Sequence, residues 1–282
     1  MKILMTGSGG LVGAALLPAL TAAGHGVTRL PHALPWPDLA GHDAVVHLAG
    51  ENIAAGRWTP AKKARIRDSR VPLTRQLCAS VVALPQPPAV FLCASAVGFY
   101  GDRGDAVLRE DSPAGAGFLA DVCRDWEAAA QAAADRGVRV VNLRFGMILS
   151  GGGGALPKLL TPFRLGLGGV LGDGRQWLSW ITLEDVVAAI QHALGTPALR
   201  GPVNVVAPQP VTNREFTRTL ARVVRRPAWC RVPAWAARLA LGEMADALLL
   251  ASQRALPAKL TAAGFTFRFP ELEGALRHAL AR

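Results

Sequence analysis

The sequence predicts an α/β fold in which a mostly parallel sheet carries helices on both faces and a smaller, mainly helical segment follows. Short apolar runs, typical of strands buried in parallel sheets, occur at 2–5, 26–30, 43–48, 89–95, 138–143 and 203–206. Helical patterns alternate with them at 11–23, 58–84, 121–135 and 183–194. After Pro210 the remaining patterns are helical, at 213–224, 234–251 and 271–281. We therefore expect a large domain over 1–210 and a small one over 211–282.

Composition excludes several classes of protein. The chain has 282 residues, of which 51% are hydrophobic and 18% charged, so it can bury a sizeable core and is not expected to be disordered. The net charge is +11, but the basic residues are scattered and form no dense block, which favours solvated faces. We expect no nucleic-acid partner and no membrane partner, and a cytoplasmic location. The sequence is compatible with a homodimer.

Metal binding is not expected either. The four cysteines, Cys78, Cys93, Cys123 and Cys230, form no Cys-x-x-Cys pair and are joined by no histidine cluster.

A glycine-rich turn lies between the first apolar run and the first helical pattern. It reads TGSGGLVG over residues 6–13. In this context Gly7 suits a tight turn, Gly10 lets the backbone approach a pyrophosphate, and Gly13 allows close packing of helix on strand. The backbone N–H groups of Leu11 and Val12 would face the phosphates at the start of the helix. The pattern predicts a Rossmann-like, doubly wound dinucleotide-binding domain; the alternative is an ordinary glycine-rich turn.

The end of the second strand indicates which dinucleotide is bound. An NAD site usually has an acidic residue there, to hold the ribose 2′-hydroxyl. This chain has Arg29 and His32 instead, and its first carboxylate is Asp38. Because an arginine suits a 2′-phosphate, we predict NADP as the cofactor, with Arg29 and His32 near the phosphate. The alternative places Arg29 on the sheet surface without a ligand.

Several downstream motifs then become recognisable. They are LAGENI at 48–53, SAVGFYG at 95–101, PFRLGLGG at 162–169 and WITLED at 180–185. Together with the tail motifs PVTN at 210–213 and LGEMAD at 241–246, the chain resembles the atypical epimerase family of extended short-chain dehydrogenases/reductases. The resemblance covers essentially the whole chain. It implies a substrate cleft between the two domains, to which 155–182 would contribute.

The resemblance implies further cofactor contacts. In that family, the segment after the third strand and an arginine after the basic helix touch the cofactor, and here these positions match Leu48, Ala49 and Arg70. We add Gly50 and Glu51, because ligands bind at the carboxyl ends of strands in such sheets. Met147, after the fifth strand, completes the predicted cofactor site. The family commonly has Ser-Arg where this chain has Pro31-His32.

The residues expected for catalysis are only partly present. Short-chain dehydrogenases typically use a Tyr-x-x-x-Lys pair, in which the lysine lowers the pKa of the tyrosine. Tyr100 is the only tyrosine, and Gly104 stands four residues later, so the pair does not exist in this chain. Ser95, at the end of the fourth strand, and Tyr100 are the best catalytic candidates. The alternative is that both are packing residues.

Two functions therefore stay open. The first is an NADP(H)-dependent oxidoreductase or sugar-nucleotide epimerase that lacks the Tyr-x-x-x-Lys pair. The second is a non-catalytic NADP(H)-binding sensor or regulatory protein, which the missing pair favours.

Overall fold

The computed structural model describes residues 1–31 and 36–281 and confirms the predicted fold class. A six-stranded parallel sheet has the order β6-β5-β4-β3-β1-β2. Its strands, in chain order, are β1 (Lys2–Thr6), β2 (Gly26–Arg29), β3 (Ala44–His47), β4 (Val90–Ala96), β5 (Arg139–Phe145) and β6 (Gly201–Val205). The chain order reverses between β1 and β3, so the switch point of the sheet lies between these two strands. This is where such sheets bind ligands.

The core follows from the two-residue period of the strands. Ile3 and Met5 of β1 lie in one hydrophobic cluster, whereas Leu4 lies in the cluster on the opposite face. The same alternation places Leu92 in the first cluster and Phe91 in the second. Because the central strands are buried on both faces, they appear in the sequence as continuous apolar runs.

Helices cover both faces of the sheet and build the C-terminal segment. Leu16 of α1 and Ile190 of α6 pack in the first cluster, and Leu77 of α3 and Trp126 of α4 in the second. The helices are α1 (Leu11–Ala22), α2 (Pro60–Asp68), α3 (Val71–Val82), α4 (Phe118–Ala134), α5 (Leu156–Arg164), α6 (Leu183–Gly195), α7 (Asn213–Val224), α8 (Ala234–Leu241), α9 (Glu243–Ala245), α10 (Ala258–Ala262) and α11 (Leu272–Leu280).

Two of the predicted helices are divided. The pattern at 58–84 forms α2 and α3, because Pro72 lacks an N–H group and is accommodated in the first turn of a new helix. The pattern at 234–251 is interrupted at Gly242, whose φ of 63° lies outside the helical region. A five-residue π-helical turn, Asp246–Leu250, follows α9.

Four short strand pairs connect the parts of the chain. Three of them join a segment before residue 183 to one after residue 210. They are Val107–Leu108 with Arg254–Ala255, Gly169–Leu171 with Cys230–Val232, and Trp177–Leu178 with Val211–Thr212. The fourth joins Met147–Leu149 to Trp180–Thr182. The C-terminal segment is thus hydrogen-bonded to the region predicted to form the cleft, and the division at residue 210 stays a prediction.

None of the described helices is both long enough and apolar enough to cross a membrane.

Candidate functional site

The turn between β1 and α1 is built by close backbone contacts. Gly7 has a φ of 70°, and a Cβ atom there would stand 2.6 Å from the carbonyl carbon of Leu48. A Cβ atom on Gly13 would stand 2.1 Å from the Gly7 carbonyl oxygen. Both positions therefore require glycine: the first because β3 ends against the turn, and the second because the helix packs on it.

The first turn of α1 presents unpaired donors. Gly10 is its N-cap in an extended conformation, and no described side chain caps it. The N–H groups of Leu11, Val12 and Gly13 therefore have no partner within the helix, and the helix dipole adds positive potential there. A Cβ atom on Gly10 would meet no protein atom closer than the Gly7 carbonyl oxygen at 3.4 Å. The arrangement fits a phosphate group as ligand.

Arg29 lies beside this turn, at the end of β2. Its Nε donates a hydrogen bond to Ser8 Oγ over 2.9 Å, and the pair is exposed. The structure thus brings a guanidinium next to the phosphate turn, although the two residues are separated by the whole of α1. His32, the other residue predicted here, lies outside the described residues.

The segment after β3 is held by Thr6 and Arg70. Thr6 Oγ1 accepts hydrogen bonds from the backbone N–H groups of Leu48 at 3.2 Å and Ala49 at 3.3 Å. The Arg70 guanidinium packs against Gly50, since a Cβ atom on this glycine would stand 2.9 Å from Arg70 Cζ. Arg70 Nη2 also donates a hydrogen bond to the Glu51 carbonyl oxygen over 3.0 Å.

This geometry gives Arg70 a supporting role. The guanidinium also lies 5.0 Å from the centre of the Trp126 ring, and burial lowers the pKa of Arg70. The structure engages the side chain in positioning the loop that follows β3, and the contact with cofactor that the resemblance implies stays a prediction.

Glu51 is fixed in its ionised form at the same edge. Lys62 Nζ lies 2.5 Å from Glu51 Oε1, and this hydrogen bond is the main reason why the pKa of Glu51 is lowered. The Lys62 side chain is buried, whereas the Glu51 carboxylate is partly exposed. Glu51 therefore offers a carboxylate acceptor at the carboxyl end of β3.

A buried chain of hydrogen bonds supports the turn from below. His47 Nδ1 lies 2.7 Å from Thr6 Oγ1, and His47 Nε2 lies 2.8 Å from Thr74 Oγ1. Trp126 Nε1 donates to the same Thr74 oxygen over 2.8 Å. The chain connects β1, β3, α3 and α4, which explains a histidine within a buried strand.

Ser95 and Tyr100, the two catalytic candidates, belong to one buried network. Ser95 Oγ donates to Glu127 Oε1 over 2.6 Å. Arg144 binds Glu127 through two hydrogen bonds of 2.8 Å and donates to the Tyr100 hydroxyl over 2.9 Å. That hydroxyl lies 2.7 Å from Asn204 Oδ1.

This network does not support the predicted catalytic roles. Tyr100 is completely buried and Ser95 is 3% exposed. Ser95 points into the layer of α3 and α4, because it has the same parity along β4 as Phe91 and Cys93. The next residue, Ala96, points the other way and carries no hydroxyl. The alternative assignment of both residues to packing fits the structure, and burial raises the pKa of Tyr100.

The network continues into the C-terminal segment through Glu110. Its Oε1 accepts hydrogen bonds from the backbone N–H groups of Asn204 at 3.2 Å and Lys259 at 3.0 Å. Asn204 Nδ2 also donates to the Leu256 carbonyl oxygen over 2.9 Å. Sequence patterns did not single out Glu110, Glu127, Arg144 or Asn204, since the partner of a buried polar side chain becomes known only in the folded structure.

The start of α4 packs against the turn that follows β4. A Cβ atom on Gly98 would lie 3.5 Å from Leu119 Cβ and 4.0 Å from Cys123 Sγ. Cys123 is buried, and burial raises its pKa to about 11, so the thiol stays protonated at neutral pH.

The segment after β5 forms a wall beside the phosphate turn. A Cβ atom on Gly153 or Gly154 would stand 3.2 or 3.0 Å from the Leu11 side chain, so this glycine run lies against the start of α1. Lys158 Nζ donates to the Ala54 carbonyl oxygen over 2.6 Å, which connects α5 to the loop after β3. Met147 begins the short strand that leads into this wall.

Comparison with known proteins agrees with the geometry. Residues 3–206 match the NAD dependent epimerase/dehydratase family, and residues 232–279 match a domain of unknown function (DUF1731). Epimerase family protein Mb2239 of Mycobacterium bovis is 45% identical over 296 residues, covering 99% of this chain and 98% of the relative. Epimerase family protein SDR39U1 of Homo sapiens is 36% identical over 294 residues, covering 100% of both.

Solved structures show the same similarity. The crystal structure of human epimerase family protein SDR39U1 (isoform2) with NADPH has a TM-score of 0.93 and 34% identity, covering 100% of this chain and 99% of that chain. A nucleoside-diphosphate sugar epimerase from Corynebacterium glutamicum has a TM-score of 0.80 and 39% identity, covering 99% of this chain and 58% of that chain.

The fold and the phosphate turn define a protein of the short-chain dehydrogenase/reductase class. Within that class, the chain belongs to the NAD dependent epimerase/dehydratase family, as the match over most of its length shows.

Replacing Arg144 by leucine is expected to destabilise the protein by about 3–5 kcal/mol, because Glu127 would be left buried without its partner. Equilibrium urea unfolding measures the loss. The control is Arg124→Leu on α4, whose ion pair with Asp121 is half exposed and contributes about 0–1 kcal/mol. Equal losses in the two variants would contradict a structural role for the network.

Proposed function

We propose that this chain binds NADP(H) at the start of α1. The observation that carries the proposal is the uncapped first turn of α1, where the N–H groups of Leu11, Val12 and Gly13 have no partner within the helix. The N-cap, Gly10, has no side chain, and a Cβ atom there would meet no protein atom closer than 3.4 Å. Such a turn binds a pyrophosphate through backbone donors. The human relative of 34% identity, whose crystal structure contains NADPH, supports the same ligand here.

Arg29 supports the phosphorylated form of the cofactor. Its hydrogen bond to Ser8 holds the guanidinium at the end of β2, where the adenosine ribose lies in such sites. A charge-assisted contact with the 2′-phosphate would favour NADP(H) over NAD(H). Leu48, Ala49, Gly50 and Glu51 follow β3 at the same edge, and we assign them and Met147 to the rest of the cofactor site.

Bound NADP(H) would donate or accept a hydride, so the first candidate activity is oxidoreduction or epimerisation of a small or nucleotide-linked substrate. The protein's own part would be to orient the cofactor through the phosphate turn and to close the cleft with the segment that carries Lys158. Since Ser95 and Tyr100 are held in the buried network, such a reaction would take its proton from another group or from water.

The second candidate is an NADP(H)-binding sensor or regulatory protein without turnover. The burial of both hydroxyl groups and the absence of a Tyr-x-x-x-Lys pair favour it. The cytoplasmic location and the homodimer remain predictions under either function.

Gly10→Glu is expected to weaken NADPH binding by about a hundredfold or more, because a carboxylate would stand close to the pyrophosphate. The fold should survive, since the position has no close protein neighbour. Titration of NADPH fluorescence measures affinity, and thermal unfolding checks the fold. The matched control is Gly274→Glu on α11, where a Cβ atom would have no neighbour within 4 Å. Unchanged affinity in Gly10→Glu would show that the phosphate turn is not the site.

Arg29→Ala is expected to weaken NADPH binding by about tenfold while leaving NADH binding unchanged, because only NADPH carries the 2′-phosphate. Both affinities are measured by the same titration at one salt concentration. The charge-matched control is Arg136→Ala, at an exposed position in the turn between α4 and β5. Equal weakening for both cofactors would remove the basis for NADP preference.

Turnover distinguishes the two candidates. Protein is incubated with NADPH, or with NADP and reduced metabolites, across a broad panel of carbonyl compounds, alcohols and nucleotide sugars. Nicotinamide absorbance measures net oxidoreduction, and chromatographic separation of the sugars measures epimerisation, which leaves no net change in the cofactor. For an enzyme, one compound should give a rate that Gly10→Glu abolishes. If the wild-type protein binds NADPH but no compound gives a rate, the sensor is favoured.

A further inference from the structure

Three large apolar side chains are exposed on two adjoining segments of the C-terminal half. Leu165 and Leu167, in the turn after α5, are 69% and 60% exposed, and Trp229 is 90% exposed. The backbone N–H of Cys230 donates to the Gly168 carbonyl oxygen over 3.3 Å, so the segments that carry Trp229 and Leu167 lie next to each other. Leaving three such side chains in water is unfavourable, and exposed apolar patches of this kind mark interaction sites.

Arginines line a groove that begins at Trp229. The groove lies between α7 and the strand pair Gly169–Leu171 and Cys230–Val232, and its basic residues are Arg175, Arg214, Arg218 and Arg231. None of the four forms an ion pair with a described carboxylate.

The groove has one acidic residue, Asp173, which does not neutralise the arginines. Its Oδ1 accepts a hydrogen bond from the backbone N–H of Arg175 at 2.9 Å, and its carbonyl oxygen accepts one from Arg214 Nη2 at 2.8 Å. The groove thus keeps a positive field. The sequence scatters these basic residues over more than fifty positions, and only the fold collects them beside Trp229.

Protruding leucine and tryptophan side chains flanked by arginines are the combination that an anionic lipid surface binds. The indole and leucine side chains enter the boundary between headgroups and acyl chains, while the guanidinium groups contact lipid phosphates. A second copy of this chain fits poorly, since it would bring two unpaired arginine clusters together. A free nucleotide would use the arginines and Trp229 but would leave Leu165 and Leu167 in water.

We propose that the surface formed by Leu165, Leu167, Trp229 and the arginine groove docks this protein peripherally on anionic phospholipid membranes. This departs from the expectation drawn from sequence, where scattered basic residues indicated no membrane partner. The docking surface uses neither the phosphate turn nor the loop after β3, so it is independent of the proposed NADP(H) site.

The test is co-sedimentation of the full chain with phosphatidylcholine vesicles, with and without phosphatidylglycerol. Wild-type protein is expected to pellet with the anionic vesicles and to be released by high salt. Leu165→Ser/Leu167→Ser should lower the partition coefficient about tenfold. Arg214→Gln/Arg218→Gln should lower it by about tenfold or more.

Matched controls distinguish binding by this surface from non-specific effects of exposed apolar area and net charge. Trp235→Ser/Leu239→Ser removes two equally exposed apolar residues from α8, and Arg75→Gln/Arg136→Gln removes the same charge from exposed sites elsewhere. Both controls should bind like wild type. All substituted leucines, tryptophans and arginines are exposed, so circular dichroism spectra should not change.

Three results would overturn the proposal. The first is that wild-type protein does not pellet with anionic vesicles. The second is that the control variants lose binding as strongly as the surface variants. The third is that the arginine pair matters while the leucine pair does not, which would indicate a phosphate ligand or an acidic protein at the groove instead of a membrane.

Discussion

The contact between the Gly7 backbone and the end of β3 is the constraint on which the site depends. It leaves no space for a side chain, so the first turn and the loop after β3 are held as one unit. Thr6 reinforces the contact by accepting two backbone hydrogen bonds from that loop, and His47 holds Thr6 from within the sheet. Because these polar groups are buried and satisfied, the turn is rigid before any ligand arrives, which lowers the entropic cost of binding.

The Glu127–Arg144 ion pair plays the corresponding role on the other side of β4. It occupies the hydroxyl groups that the sequence suggested for catalysis, and it extends through Asn204 and Glu110 to the C-terminal segment. A charged pair at this depth is stable only with its remaining hydrogen bonds satisfied, which explains why Ser95 and Tyr100 are both recruited. The two halves of the protein are consequently joined by polar contacts as well as by apolar packing.

The sequence predicted the fold better than it predicted the site. Apolar runs and the glycine turn were sufficient to predict the parallel sheet, because strands that are buried on both faces consist almost entirely of apolar residues. Proline and glycine effects at Pro72 and Gly242 divided two helices that periodicity had joined. For Ser95, the strand period decides which face a side chain takes, and a shift of one residue is enough to turn a hydroxyl away from the cleft. For Arg70, the sequence showed an arginine near the loop but not that the loop rests on it.

The single tyrosine has a spectroscopic consequence. In the folded protein its phenol is buried and its pKa is raised above the value of about 10 for a solvated tyrosine. The neutral phenol is therefore favoured in the native state, and its stabilising contribution is lost as the pH rises through the raised value. Ultraviolet absorbance of phenolate in alkaline solution thus comes from one known position in the chain. This absorbance is a label-free optical signal for the separation of the C-terminal segment from the sheet, because the Tyr100 hydroxyl contacts Asn204, which in turn contacts Leu256.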